Sequence, residues 1–181
     1  MFANRGTILC AAFALTLAAA APATAQNVSC KDMASAMIEH KITPFHAYMS
    51  TTAGYTQGKT EQSEMISTGD AMYVQVHGKW RRSPVTAQYM RDMQKQGLDS
   101  VSSNYTCTRV GTETVNGVST TRYHVKGRNE AGEIVEDIWL ASNGLLQRID
   151  TDMDVGGGAM GKSHSTMRYE YTNVQAPPGV H

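Results

Sequence analysis

The sequence has no excess of charge of either sign: its 181 residues include 16 Lys and Arg against 16 Asp and Glu. A nucleic-acid-binding protein needs a basic excess to neutralise phosphates, so nucleic acid is not an expected partner. No run of about 20 apolar residues follows position 25, which argues against a membrane-spanning helix beyond that point. No nucleophile elbow, zinc-protease motif or phosphate-binding loop occurs. The sequence therefore predicts neither an enzyme nor a resident cofactor.

The first residues have the organisation of an export signal. Arg5 precedes an almost entirely apolar stretch over residues 7–21, which Pro22 ends. Ala23-Thr24-Ala25 then provides the small residues that a signal peptidase recognises. We expect residues 1–25 to be a signal peptide, cleaved after Ala25, and the mature chain to be periplasmic or secreted.

The sequence has only three cysteines, and cleavage of the predicted signal peptide would remove one of them. Cys10 lies within the apolar stretch, so only Cys30 and Cys107 remain in the mature chain. Exported proteins reside in oxidising compartments, where an even number of cysteines favours pairing. The sequence predicts a disulfide between Cys30 and Cys107.

Two segments have the periodicity of amphipathic helices. The first begins with the capping pattern Ser29-x-x-Asp32 and has one apolar face, formed by Met33, Ala34, Met37 and Ile38. The second is predicted to begin at Ser83-Pro84 and to end at Gly97. Its apolar stripe comprises Val85, Tyr89, Met90 and Met93.

The rest of the mature chain is typical of strands joined by short turns. Residues 72–77 alternate in polarity, and Asn116-Gly117 and Asn143-Gly144 are strong hairpin signals. In the strand predicted from Glu133 to Leu140, Glu133 and Asp137 share one face and Glu136 lies on the other; we interpret these acids as a solvated strand face. The pattern predicts an α+β fold in which one antiparallel sheet has its concave face partly covered by an N-terminal helix and one inserted helix, leaving a groove.

Four landmarks in this order resemble the LolA-like superfamily of periplasmic lipoprotein carriers, which also includes mycobacterial cell-wall lipid-binding lipoproteins. The landmarks are residues 72–74 with 78–80, residues 110–117 with 121–125, residues 137–140 with 143–148, and residues 169–174 with 176–178. The resemblance implies a single domain over residues 26–181. It also implies that the sheet is curved as an unclosed half-barrel, with an apolar groove for acyl chains.

From this we expect a binding protein that holds a lipid, an acyl chain or another apolar small molecule between sheet and helices. As a carrier, it would also have an envelope lipoprotein or membrane protein as a partner. The candidate ligand-binding residues are apolar or aromatic and lie on elements expected to face each other: Met37, Tyr48, Met72, Val74, Met90, Met93, Tyr123 and Trp139. The alternative for each of them is an ordinary core position.

Two other functions remain open from the sequence. Met160 and Met167 flank His164, and thioethers with an imidazole suit Cu(I), so a periplasmic copper-binding protein is one alternative. The other is an envelope accessory protein with a filled core and no ligand.

Overall fold

The computed structural model describes residues 25–39, 43–53, 58–129, 132–154 and 161–180. The predicted signal peptide lies outside these residues except for Ala25, and so does Met160 of the copper hypothesis. Within the described part of the chain, no helix is long and apolar enough to span a membrane.

Ten strands within these described ranges form one antiparallel sheet, which confirms the predicted fold class. The strands are β1 (Gln26–Val28), β2 (Phe45–Ala53), β3 (Thr60–Ser67), β4 (Met72–Val76), β5 (Lys79–Arg82), β6 (Tyr105–Val115), β7 (Val118–Asn129), β8 (Gly132–Ala141), β9 (Leu146–Asp154) and β10 (Lys162–Glu170). Their order in the sheet is β1-β6-β7-β8-β9-β10-β2-β3-β4-β5. Since β1 and β5 do not pair with each other, the sheet is an unclosed half-barrel.

Successive side chains of each strand point to opposite faces of the sheet, so the two faces present different residues. Ile134 and Ile138 of β8 lie on the face toward the two helices, which we term the concave face. Trp139 lies on the opposite, convex face, where it contacts Arg122 of the neighbouring strand β7. The register of the sheet therefore decides which side chains can line a groove.

Helix α1 (Cys30–Glu39) follows the predicted pattern closely. The backbone N–H of Asp32 donates a 3.2 Å hydrogen bond to Ser29 Oγ, which satisfies one of the unpaired donors of the first turn. Met33 and Ile38 on the apolar face are buried. This face is directed toward the concave face of the sheet, as an amphipathic helix requires.

Helix α2 (Ala87–Asn104) is displaced from its predicted limits. The cap is Thr86, whose Oγ1 accepts a 3.1 Å hydrogen bond from the N–H of Tyr89. Ser83 Oγ instead accepts from the N–H of Val85 in the turn before the helix. The predicted end at Gly97 is wrong: this glycine is not in the left-handed conformation that a Schellman stop requires, and the helix continues through it.

The predicted hairpin at Asn116-Gly117 is confirmed between β6 and β7. Both residues have positive φ, 50° and 79°, which is the backbone of a type I′ turn. This turn matches the twist of the two long strands that carry much of the concave face.

The predicted disulfide is present and joins the first residue of α1 to β6. Cys30 and Cys107 are bonded across 77 positions of sequence, with their Cα atoms 5.2 Å apart. Both are buried in the main core cluster, where they pack with Met33, Val125 and Ile138. The bond therefore holds α1 against the concave face.

Replacing both cysteines by serine should lower the free energy of unfolding by about 4 kcal/mol, because the unfolded chain gains the freedom of a 77-residue loop. Urea denaturation of the purified protein and the double variant measures this difference. Alkylation of the protein isolated without reductant, followed by mass spectrometry, tests directly whether Cys30 and Cys107 are bonded. Two alkylated thiols at these positions would contradict the disulfide.

Candidate ligand-binding cavity

A cavity of about 580 Å³ lies between the two helices and the concave face. Its wall draws on both helices, on most of the strands and on the segments that follow α1, β8 and β10. The lining residues are Met33, Ala34, Met37, Ile38, Thr43, Phe45, Met65, Met72, Ala87, Met90, Arg91, Gln94, Gly97, Tyr105, Val125, Ile134, Glu136, Ile138, Gly144, Leu145, Leu146, Tyr169 and Tyr171. The predicted groove between sheet and helices therefore exists as a defined space.

The wall is mainly apolar and unusually rich in methionine. Five methionines line it, two from α1, two from strands β3 and β4, and one from α2. An unbranched thioether side chain adapts its shape at small cost. Such a wall can accommodate apolar molecules of different shapes.

Helix α2 faces the cavity with a different stripe from the predicted one. Met90, Gln94 and Gly97 recur at helical spacing along the cavity. Tyr89 and Met93 are about half exposed and are not among the residues that line the cavity. The structure thus places Met93 outside the wall, in contrast to the prediction, because Met90, Gln94 and Gly97 form the stripe of α2 that faces the cavity.

The sheet gives the cavity a floor with one acidic residue at its centre. Ile134, Glu136 and Ile138 of β8 all line the cavity, and both isoleucines are buried. Thr151 Oγ1 donates a 3.2 Å hydrogen bond to Glu136 Oε1. Burial raises the pKa of Glu136, and the bond from Thr151 offsets only part of that effect.

Two tyrosines close the β10 end of the cavity, and both have their hydroxyls occupied within the protein. Tyr169 donates to the thioether of Met167, and Tyr171 donates to the carbonyl of Leu146. Burial, with a smaller contribution from Glu136, raises the pKa of Tyr169 to about 12. Burial also raises the pKa of Tyr171 well above its usual value. Both rings remain neutral at physiological pH.

Of the predicted ligand-binding residues, Met37, Met72 and Met90 line the cavity. Val74 pairs with the cavity-lining Met65 and shares its face of the sheet, but Val74 is not part of the wall. Tyr123 is also on the concave face and packs against the core cluster around the disulfide. These two residues therefore share the face of the cavity without lining it.

Tyr48 lies on the convex face, so the prediction that it lines the groove is corrected. Its ring stacks on His46 with centroids 4.2 Å apart, and its hydroxyl donates to Glu170 at 3.3 Å. His46 Nε2 is 2.7 Å from a carboxyl oxygen of Glu64. Burial, followed by the negative charge of Glu170, raises the pKa of Tyr48.

Trp139 requires the same correction. It is buried on the convex face with the guanidinium groups of Arg122 and Arg148 5.3 and 4.9 Å from its ring centroid. Its indole Nε1 donates a 2.8 Å hydrogen bond to Glu113, and this bond, with help from Arg122, lowers the pKa of that carboxyl. This tryptophan stabilises the outside of the sheet through cation–π contacts.

Asp137 connects the same convex-face cluster. Arg122 donates to both of its carboxyl oxygens, at 3.2 and 2.9 Å, and His124 Nδ1 lies 3.0 Å away. Burial alone would raise the pKa of Asp137, but the hydrogen bonds from Arg122 and His124 outweigh it and lower the pKa. The acid predicted to be simply solvated is thus part of an ion-pair network.

The residues of the copper hypothesis do not converge in the described part of the chain. His164 is paired with Asp152 at 2.8 Å on the convex face, whereas Met167 contacts Tyr169 on the concave side. Three positions apart on one strand, His164 and Met167 point to opposite faces. No group of three or more His, Cys, Asp or Glu residues arranged for a metal occurs among the described residues.

No family model matches this chain, and curated proteins give no significant match. Among solved structures, MucB in complex with MucA(peri) is similar at 16% identity and a TM-score of 0.36, covering 83% of this chain and 57% of that one. This chain thus spans little more than half of that structure's length. A DUF1329 family protein from Desulfovibrio piger has 14% identity, a TM-score of 0.25 and coverages of 83% and 93%. A LolA superfamily protein from Nitrosomonas europaea has 9% identity, a TM-score of 0.26 and coverages of 83% and 96%.

The superfamily that the sequence resembles is therefore among those matched. Because the TM-scores and identities are low, these similarities carry no functional argument. The function of this chain has to be inferred from its own cavity and from the residues that line it.

Asp137→Asn should lower the free energy of unfolding at neutral pH by about 2 kcal/mol, since hydrogen bonds to charged groups are among the stronger ones. The lowered pKa means that the carboxylate stabilises the fold above the unfolded-chain pKa, and that this contribution is lost as the pH falls through the folded-state value. The difference between the two proteins should therefore shrink on acidification. Urea denaturation at neutral and acidic pH measures it.

Asp152→Asn is the matched control on the same face, because Asp152 and its partner His164 are both mostly exposed. It should change stability by less than about 1 kcal/mol. Equal losses of unfolding free energy in the two variants would show that the network around Asp137 stabilises the fold no more than an exposed ion pair does.

Proposed function

We propose that this chain is an exported, non-enzymatic binding protein that holds a lipid, an acyl chain or another apolar molecule in the cavity between α1, α2 and the concave face. The observation that carries this proposal is a cavity of about 580 Å³ with a mainly apolar wall. Pockets for small molecules usually have volumes of about 300 to 1,000 Å³, apolar walls and a few polar groups. Each buried methylene of a ligand would contribute about 0.8 kcal/mol to binding.

The construction of the wall also supports a binding role. The cavity lies between α1, which the disulfide fixes to the sheet, and α2, which packs chiefly against α1. Met90 of α2 is 44% exposed although it lines the cavity, so apolar surface is accessible at its edge. A disulfide in the core is in keeping with export to an oxidising compartment.

Gly97→Trp should block the cavity with little change in fold stability. Gly97 lines the cavity, and a Cβ at this position would have no atom within 4 Å, so a large side chain can extend into the open space. Glycine in a helix interior costs about 0.5–1 kcal/mol relative to alanine, and tryptophan ranks between the two, so the substitution itself does not disfavour the helix. We expect affinity for the apolar fluorophore N-phenyl-1-naphthylamine to fall roughly tenfold or more, a loss of about 1.4 kcal/mol or more.

Met93→Trp is the matched control, since it adds the same side chain to the same helix at a position that is 49% exposed and outside the cavity wall. It should leave fluorophore binding unchanged. Thermal unfolding of all three proteins checks the fold. If the wild-type protein, once stripped of co-purified lipid, takes up no fluorophore, the binding proposal fails and the ligand-free accessory role replaces it.

A further inference from the structure

Glu136 occupies an unexpected position for an acidic residue. It lies in the middle of β8 on the concave face, between the buried Ile134 and Ile138 along the strand. Its cross-strand neighbours are Val125 of β7, which is 4% exposed, and Thr151 of β9. Four apolar or weakly polar side chains therefore surround one carboxyl group on the cavity floor.

The protein compensates only part of the cost of burying this group. Thr151 satisfies one carboxyl oxygen, and Glu136 forms no salt bridge within the described residues. A carboxylate in apolar surroundings without a cation is unfavourable, and the raised pKa of Glu136 reflects that cost. The second oxygen of the carboxyl has no partner among the described side chains. It is therefore able to accept a hydrogen bond from a molecule in the cavity.

Several other polar groups of the wall have partners within the protein. The hydroxyls of Tyr169 and Tyr171 both donate to atoms of the protein. Arg91, on the α2 side of the cavity, also has a partner of its own. Gln94 also lines the cavity but is exposed on α2, whereas Glu136 lies on the floor between two buried isoleucines and can meet the polar part of a molecule bound there.

We propose that Glu136 is the specificity-determining residue of the cavity and selects amphipathic ligands whose polar group donates a hydrogen bond, an amine or a hydroxyl, over ligands that carry a carboxylate. The inference rests on the proposed function. An ammonium or hydroxyl group supplies the missing hydrogen bond to the free carboxyl oxygen. A second carboxylate in the same apolar space meets repulsion that the surroundings do not screen.

Three probes of equal chain length test the selection: decylamine, 1-decanol and decanoate. Isothermal titration calorimetry of the delipidated wild-type protein should give an affinity for decylamine about tenfold or more above that for decanoate, with decanol between them. Glu136→Gln keeps the shape of the side chain and removes its charge. It should lower the affinity for decylamine about tenfold and bring the amine and carboxylate probes to within about threefold of each other.

Glu133→Gln is the control, because Glu133 lies on the same strand but on the convex face, where its side chain is 68% exposed. It should leave all three affinities unchanged. Equal wild-type affinities for amine and carboxylate, or a preference for decanoate through Arg91, would overturn the assignment of Glu136 while leaving the binding function intact. If none of the probes binds the wild-type protein, the binding function fails, and with it the role of Glu136. The wild-type comparison decides between these outcomes even if the Gln variant does not fold.

Discussion

The constraint on which the structure depends is that, in the described part of the chain, two helices cover the apolar concave face of one open sheet. The disulfide between Cys30 and Cys107 fixes the position of α1 on that face. Helix α2 then packs mainly against α1 and also contacts strands β6 and β7 of the sheet. A sheet of ten strands is too wide for this cover, so part of its apolar face remains as a cavity. The cavity thus lies beside the helix that the disulfide holds on the sheet.

The convex face differs, since both helices of the described residues lie on the concave side. Over β3 and β4, Ile66 and Tyr73 form a second hydrophobic cluster, which Trp80, Val174 and Val180 complete. Over β7, β8 and β9 the convex face is instead covered by interactions between its own side chains across neighbouring strands. Trp139 lies between Arg122 and Arg148, while Asp137 accepts hydrogen bonds from Arg122. These contacts shield the outer side of β7, β8 and β9 without forming a second core there. The same strands are then free to present Val125 and Ile138 to the cavity on their other side.

Local patterns predict the elements better than they predict which way each element faces. The cap at Ser29, the turn at Asn116-Gly117 and the cysteine pair each depend on residues close to one another or on export chemistry, and all three predictions are confirmed. The aromatic character of Tyr48 and Trp139 favours the groove, but the register of the sheet places both on the convex face. Register depends on partners far along the chain, which a local pattern does not contain. The limits of α2 also differ from the prediction: Gly97 resembles a helix stop, but its backbone is not left-handed and the helix continues to Asn104.

Glu136 shows how a departure from the local pattern can be informative. The sequence of residues 134–138 already indicates this departure. Ile134, Glu136 and Ile138 alternate along the strand and share one face, so the acid lies between two isoleucines on that face. Interpreted alone, the acid suggests a solvated face; with both isoleucines buried, it marks a polar point on an apolar floor. An isoleucine or leucine there would extend the apolar floor and avoid the cost of burying a carboxyl group. A binding site can carry that cost where the acid contributes to the binding of a ligand. We therefore connect the acid at position 136 with the proposed ligand rather than with the stability of the fold.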